Sequence, residues 1–175
     1  IYTVSLVSSL IYHLGEEEAQ AVIEGWVAND PIYIDSDTRI LETIEAGGCD
    51  VALVNHYYYA NKIKADETFA DRVKLAWANQ GEDDFGVFYN INGAGVTASA
   101  ANVENAIKLI EWLAGEHAQQ LYADANYEYP VRAGVAVNPT IASYGKLNAD
   151  TLPIAKIAAS RKAASTLVDK VGFDN

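Results

Sequence analysis

The stretch Asp50-Val51-Ala52-Leu53-Val54-Asn55-His56-Tyr57-Tyr58-Tyr59 decides how this chain is read. Val51 to Val54 make the short, unbroken apolar run expected of a strand covered on both faces. Three consecutive phenols follow. A ring hydroxyl that leaves water must find a hydrogen-bond partner or a ligand, and a buried strand has no structural need of three. Phenolate oxygen is a hard donor and suits hard cations such as ferric iron.

Geometry sets a condition on any joint action of these rings. Neighbouring side chains on a strand point to opposite faces, so Tyr57 and Tyr58 reach one point only if the backbone has turned into helix or loop by Tyr57. Ala60-Asn61-Lys62-Ile63-Lys64 is compatible with that turn. On an extended backbone His56 projects opposite to Asn55.

Outward from this stretch, helical and apolar-run patterns alternate. Val4, Val7, Leu10, Ile11 and Leu14 recur at helical spacing, with Gly15 as the stop. Glu16-Glu17-Glu18 opens a second helix to about Val27, acidic where the helix dipole is positive, with Ile23 and Trp26 on its buried side. A third spans Thr38 to Ala46, with Ser36 or Asp37 as its cap. Asp50–Asn55, Val73–Trp77 and Val87–Ile91 read as strands, and 131–137 as irregular or a short strand. Val103, Ala106, Ile107, Ile110, Leu113 and Ala114 form one apolar stripe behind Asn102, which is the cap. Further helices run over Glu116–Ala125 and from Thr151, with Pro153 in the first turn, to about Val171. Helices interleaved with short apolar runs make an α/β fold, and ligands in such folds collect beyond the carboxyl ends of strands, where Tyr57 and Tyr58 stand.

Bulk properties narrow the function. Of 175 residues half are apolar and about a fifth charged, a globular composition without a membrane-spanning run. A net charge of -12 argues against nucleic acid, because phosphates need a basic surface. The single cysteine, Cys49, excludes an internal disulfide and a cysteine-rich zinc site, and reads as a small buried residue. The absence of methionine, even at position 1, suggests a chain that begins after processing or a piece of something longer. His13 and His117 sit on helices with no metal-ligand spacing, and no nucleophile stands beside a general base, so the chain does not read as an enzyme. The many carboxylates read as solvated helix faces. Gly93-Ala94-Gly95 reads as a tight passage of chain rather than a phosphate loop.

Other readings of the tyrosines stand beside iron. They fit amphipathic packing, with rings buried and hydroxyls wet. They also fit an aromatic cage for an organic cation, although cages usually recruit tryptophan. Here Trp26 and Trp112 lie on apparent core faces and Trp77 near a strand end.

Gly48-Cys49-Asp50-Val51-Ala52-Leu53-Val54-Asn55-His56-Tyr57-Tyr58-Tyr59 resembles the Gly-x-x-Asp-x-Ala-x-x-Asn-x-Tyr-Tyr segment of ferric-iron-binding periplasmic proteins, the solute receptors of iron(III) ABC transporters. Ile1-Tyr2-Thr3-Val4-Ser5-Leu6-Val7 is similar to the family's Ile-Tyr-Asn-Gln-Ser-Leu-Val, and Asn90-Ile91-Asn92-Gly93-Ala94-Gly95-Val96-Thr97 to its Asn-Ile-Ser-Gly-Ala-Gly-Val-Thr. Asn105 to Leu113 and Tyr122 to Val131 resemble the helices and loop that follow. The order is collinear along nearly the whole chain. The departures are Thr3-Val4 beside Tyr2, Asn92 for Ser, and length: family members are much longer, and this chain resembles their later half.

The resemblance implies a type II periplasmic-binding-protein-like lobe, its mostly parallel sheet covered by helices, with part of a second lobe. Residues 1–88 and 146–175 would form the carboxy-terminal lobe, and 89–145 would belong to the other, mostly absent one. Tyr57 and Tyr58 would be iron ligands and Tyr2 a third, with Asn55 standing behind them and Tyr59 in packing. The cargo would be Fe(III), with carbonate or phosphate as a candidate synergistic anion, handed in the periplasm or at the cell envelope to a membrane permease. The missing amino-terminal lobe would be the other partner. The alternatives are a receptor for another small solute or organic cation, or an excised lobe with a structural or interaction role.

Overall fold

The computed structural model describes residues 2–173. Ile1, the first residue of the amino-terminal stretch matched above, lies outside them. The elements are α1 (Tyr2–Leu14), α2 (Glu16–Val27), α3 (Asp37–Glu45), α4 (His56–Ala65), α5 (Phe69–Arg72), α6 (Val103–Leu113), α7 (Glu116–Asn126), α8 (Pro139–Ala142) and α9 (Ile154–Val171). Helices α1, α2, α3, α6, α7 and α9 fall close to where the sequence patterns place them, and α4 occupies the stretch that had to be helix or loop for Tyr57 and Tyr58 to act together. The four-residue turns α5 and α8 carry too few residues to show a period. The last helix begins after Pro153 rather than at Thr151, with Pro153 extended at its cap.

The chain groups into two compact units. One comprises Ile1–Tyr33, Trp77–Ile91 and Leu147–Asn175; the other comprises Ile34–Ala76 and Asn92–Lys146. In the first, α1 packs on α2 and α9 around Val7, Leu10, Ala19, Ile23, Ala164 and Leu167, all buried. Complete burial of a side chain such as Ile23 contributes about 1.5–3 kcal/mol. Gly15, at φ +82°, makes the left-handed turn between α1 and α2.

The expected parallel sheet is absent among the described residues. Among the described residues there is no strand, only an isolated parallel bridge between Val87 and Ala149. The runs 51–55, 73–77 and 87–91 are otherwise without regular structure. A strand exists only when a neighbouring strand takes its backbone N–H and C=O groups, and apolar sequence supplies the preference without supplying the partner. Val51 and Leu53 are accordingly 84% and 63% exposed.

At the bridge, Val87 N–H donates to the Asn148 carbonyl (2.8 Å) and Asp150 N–H to the Val87 carbonyl (2.9 Å). Gly86 is required here, because a Cβ on it would stand 2.7 Å from the Ala149 carbonyl carbon.

The second unit has two smaller apolar clusters. Leu41, Tyr59, Phe69 and Val73 form one; Ala60, Tyr127 and Ile141 form the other. Its helix α6 departs from expectation: none of its residues is buried, and Val103, Ile107 and Trp112 are about half exposed. Trp112 is thus not a core residue in this structure.

Candidate metal centre

The backbone meets the condition set by the phenols. Asn55 is extended (φ −73°, ψ 132°) and α4 begins at His56, so Tyr57 and Tyr58 occupy its first turn. Their ring centroids lie 4.5 Å apart with planes 36° from parallel. Both rings are half-buried. The two side chains therefore lie side by side instead of on opposite faces of a strand.

Tyr59 goes elsewhere. It is 4% exposed, packs among Leu41, Phe69 and Val73, and donates its hydroxyl to the Val73 carbonyl at 2.9 Å. Burial pushes its phenol above the usual value. The three tyrosines thus separate into an adjacent pair and one core residue, and sequence reasoning placed Tyr59 in packing.

Several contacts fix the start of α4. Asn55 N–H donates to Asp37 Oδ1 (3.0 Å), and the Asn55 carbonyl accepts from Tyr58 N–H (3.1 Å). The Asn55 side chain makes no capping bond. His56 Nε2 stands 2.8 Å from the Tyr127 carbonyl. Its ring meets Tyr57 edge-on at 5.8 Å and Tyr129 at 5.4 Å, tilted by 51°. Burial holds His56 below its usual pKa, opposed by the Tyr127 carbonyl and the Glu128 carboxylate. The neutral ring, with its proton on Nε2, is the donor to that carbonyl.

Tyr127 closes α7 in the left-handed conformation (φ 59°). Glu128 then accepts from Asn92 Nδ2 at 3.0 Å, which ties the glycine-rich passage after Asn92 to the same turn. The link from His56 to Tyr127 joins residues 71 apart, and no local pattern in the sequence announces it.

Tyr144 lies among Tyr59, Tyr127 and Tyr129 and is pushed up to about 12, chiefly by burial and then by those neighbouring phenols. Its hydroxyl is buried without a hydrogen-bond partner. A bare buried phenol stays protonated because nothing nearby favours its anion.

The remaining candidates are placed as follows. Tyr2 is the first residue of α1, in the other unit, and is 56% exposed. His117 is exposed, with its ring 6.3 Å from Trp112. Cys49 is half-buried and free. No group of three or more His, Cys, Asp or Glu side chains suited to a metal exists among the described residues, so oxygen chemistry of the tyrosine kind is what α4 offers a cation.

His13 has a role that its sequence did not show. Asp150, 3% exposed, accepts from Ser9 Oγ (2.8 Å) and, at the other oxygen, from Leu152 N–H (2.9 Å). His13 Nε2 is 3.0 Å from it, and the His13 ring stacks on Phe85 at 4.2 Å. This carboxylate pins α1 to the segment that carries the parallel bridge. A cavity of about 360 Å³ lies against it, lined in part by Tyr12, Asp84 and Pro153, and an open hollow of about 730 Å³ lies along α1, α2 and α9. Neither hollow is lined by Tyr57 or Tyr58.

No protein-family model matches the chain. Individual proteins do. Iron uptake protein A2 of Synechocystis is 35% identical over 99% of this chain and 51% of its own length. The Fe(3+)-binding periplasmic protein of Serratia marcescens is 28% identical over 87% of this chain and 45% of its own. Among solved structures, apo ferric ion-binding protein A of Pasteurella haemolytica superposes with a TM-score of 0.91 at 36% identity, covering 99% of this chain and 55% of that one. A Trichodesmium protein in complex with iron and citrate superposes at 0.87 with 32% identity, again over 99% and 56%.

In sequence and fold, then, the chain resembles the ferric-iron-binding proteins. It is a relative of the ferric-iron-binding proteins and spans about half the length of the curated relatives it matches.

Proposed function

We propose that this chain carries part of the ferric-iron site of a periplasmic solute receptor and belongs to the carboxy-terminal half of that receptor. The observation that supports it most is the side-by-side pair of Tyr57 and Tyr58 at the first turn of α4, 4.5 Å between ring centroids. Phenolates neutralise a trivalent ion and favour it over the divalent state. A phenol ordinarily ionises near pH 10, so the metal itself must drive off the protons, and binding releases them.

Tyr2 is proposed as a further donor and Asn55 as support for the pair, both on the family resemblance. Two or three phenolates leave a ferric ion short of a full shell. Water or a small anion completes it in this chain, with carbonate, phosphate or citrate as the chemical kind. Citrate is prompted by the Trichodesmium structure, which is a complex with iron and citrate.

The resemblance divides the longer receptor into a lobe of residues 1–88 with 146–175 and another that 89–145 joins, whereas the compact units here group Ile34–Ala76 with Asn92–Lys146; the receptor is proposed to have two lobes. The two would close on the ion and deliver it to an ABC-transporter permease. The site of action is the periplasm, free or anchored at the cell envelope, following the relatives named periplasmic. This is a binding role, not an enzymatic one.

Equilibrium dialysis against ferric citrate tests the reading. The wild-type chain retains iron and releases protons on loading, and the variant carrying both Tyr57→Phe and Tyr58→Phe retains little. The reading fails if the wild type holds no more iron than an unrelated protein of equal negative charge, because an acidic surface alone attracts cations.

A further inference from the structure

We infer that His56 is a positioning residue for the phenol pair, holding Tyr57 and the start of α4 against the turn that follows α7. The inference rests on the ferric reading of Tyr57 and Tyr58 and adds a residue that family resemblance does not assign. Its ground is geometric. His56 is the first residue of α4, its Nε2 lies 2.8 Å from the Tyr127 carbonyl, and its ring is wedged between Tyr57 and Tyr129.

Each of these contacts restrains a different freedom. The hydrogen bond fixes the imidazole and, through it, the backbone at the end where the phenols emerge. The edge-on contact limits rotation of the Tyr57 ring, which in turn lies against Tyr58. A turn of helix without such restraint frays, because its first N–H groups have no partners within the helix.

The acceptor is itself held in place. Tyr127 is 7% exposed, sits in an apolar cluster with Ala60 and Ile141, and has the Lys64 ammonium 5.8 Å from its ring centroid. Glu128, next in sequence, is bonded to Asn92. Groups that orient metal ligands without touching the metal act in this way, and their loss typically weakens metal binding 10–100-fold. His56 itself gives no bond to the ion in this account; its donor is spent on the Tyr127 carbonyl.

The test compares the wild type with His56→Phe and His56→Gln during titration with ferric nitrilotriacetate. The readouts are iron affinity, the phenolate-to-iron charge-transfer band and the melting temperature. Phe keeps a ring but loses the donor; Gln keeps an N–H donor on a shorter, planar group. The expected result is binding about 10-fold weaker in His56→Phe with a shifted band, and substantial recovery of both in His56→Gln even if the two variants melt alike.

Affinity and band unchanged in His56→Phe overturn the positioning role while leaving the iron reading intact. Affinity lost equally in both variants, in step with melting temperature, also overturns it, because that is loss of fold. A wild type that stays colourless and binds no iron removes the ferric reading itself, and the His56 role goes with it.

Discussion

The two units of this molecule satisfy their apolar patterns to very different degrees. In the first, α1, α2 and α9 close around Val7, Ile23 and Leu167, and the buried carboxylate of Asp150 has donors on both oxygens. In the second, Val51, Leu53 and Val131 are more than 60% exposed, no residue of α6 is fully buried, and the Tyr144 hydroxyl is buried without a partner. The first unit closes a three-helix core from its own sequence, although Ile32 and Tyr2 stay exposed on it. The second carries apolar faces that its own residues do not cover, in a chain that spans about half of its relatives.

Perturbing the closed unit breaks this contrast most forcefully. Asp150→Ala strands the Ser9 hydroxyl, the His13 ring and the Leu152 N–H in a buried place, and unfolding in denaturant should show a loss of about 3 kcal/mol. A loss under half that would mean the carboxylate does not tie α1 to the bridge segment.

In the second unit, Tyr59→Phe removes a buried hydroxyl and leaves the Val73 carbonyl unmatched. The same measurement should show about 1 kcal/mol, with no effect on iron. If Tyr59→Phe instead abolishes iron binding, the division of the three tyrosines into a pair and a core residue is wrong.

Alkaline titration sharpens the comparison further. Tyr144, pushed up to about 12, favours its protonated form in the folded chain. The stability it contributes is present in full below the unfolded value near 10 and is lost as the pH rises towards 12. Ultraviolet absorbance should therefore show at least one of the 11 tyrosines ionising only above pH 11 or on unfolding, and Tyr144→Phe should remove that late step.

The smallest effect lies at Asp66. Its carboxyl is held down to about 2 by the Thr68 hydroxyl and then Arg72, although it is half exposed. A depressed carboxyl stabilises the fold above its unfolded value near 4 and ceases to do so as the pH falls to 2. Asp66→Asn should slightly lower stability at neutral pH and converge on the wild type as the pH falls to about 2, which flattens the acid limb.

The sequence showed what depends on short-range order. The boundaries of α2 and α3 follow from acidic first turns, a serine cap and alternating faces, and Ser36 does accept from Arg39 N–H. The phenol pair was legible because the residues are adjacent and the structural requirement, a helix by Tyr57, could be stated in advance. The sheet was not obtained, because apolar runs such as Val51–Val54 announce extended backbone but cannot name the strand that pairs with them. The same limit hid His56 and Asp150. Each acts through a partner far along the chain, Tyr127 for one and Ser9 for the other, and neither spacing has a local signature.

The central claim is that Tyr57 and Tyr58 bind one ferric ion together. Visible absorption of the wild type, each single Tyr→Phe variant at 57 and 58, and the double variant, recorded while ferric iron is added, tests it most directly. The account predicts a phenolate charge-transfer band in the wild type, weakened in each single variant and absent in the double. A wild type without the band, or a double variant that keeps it, would contradict the claim.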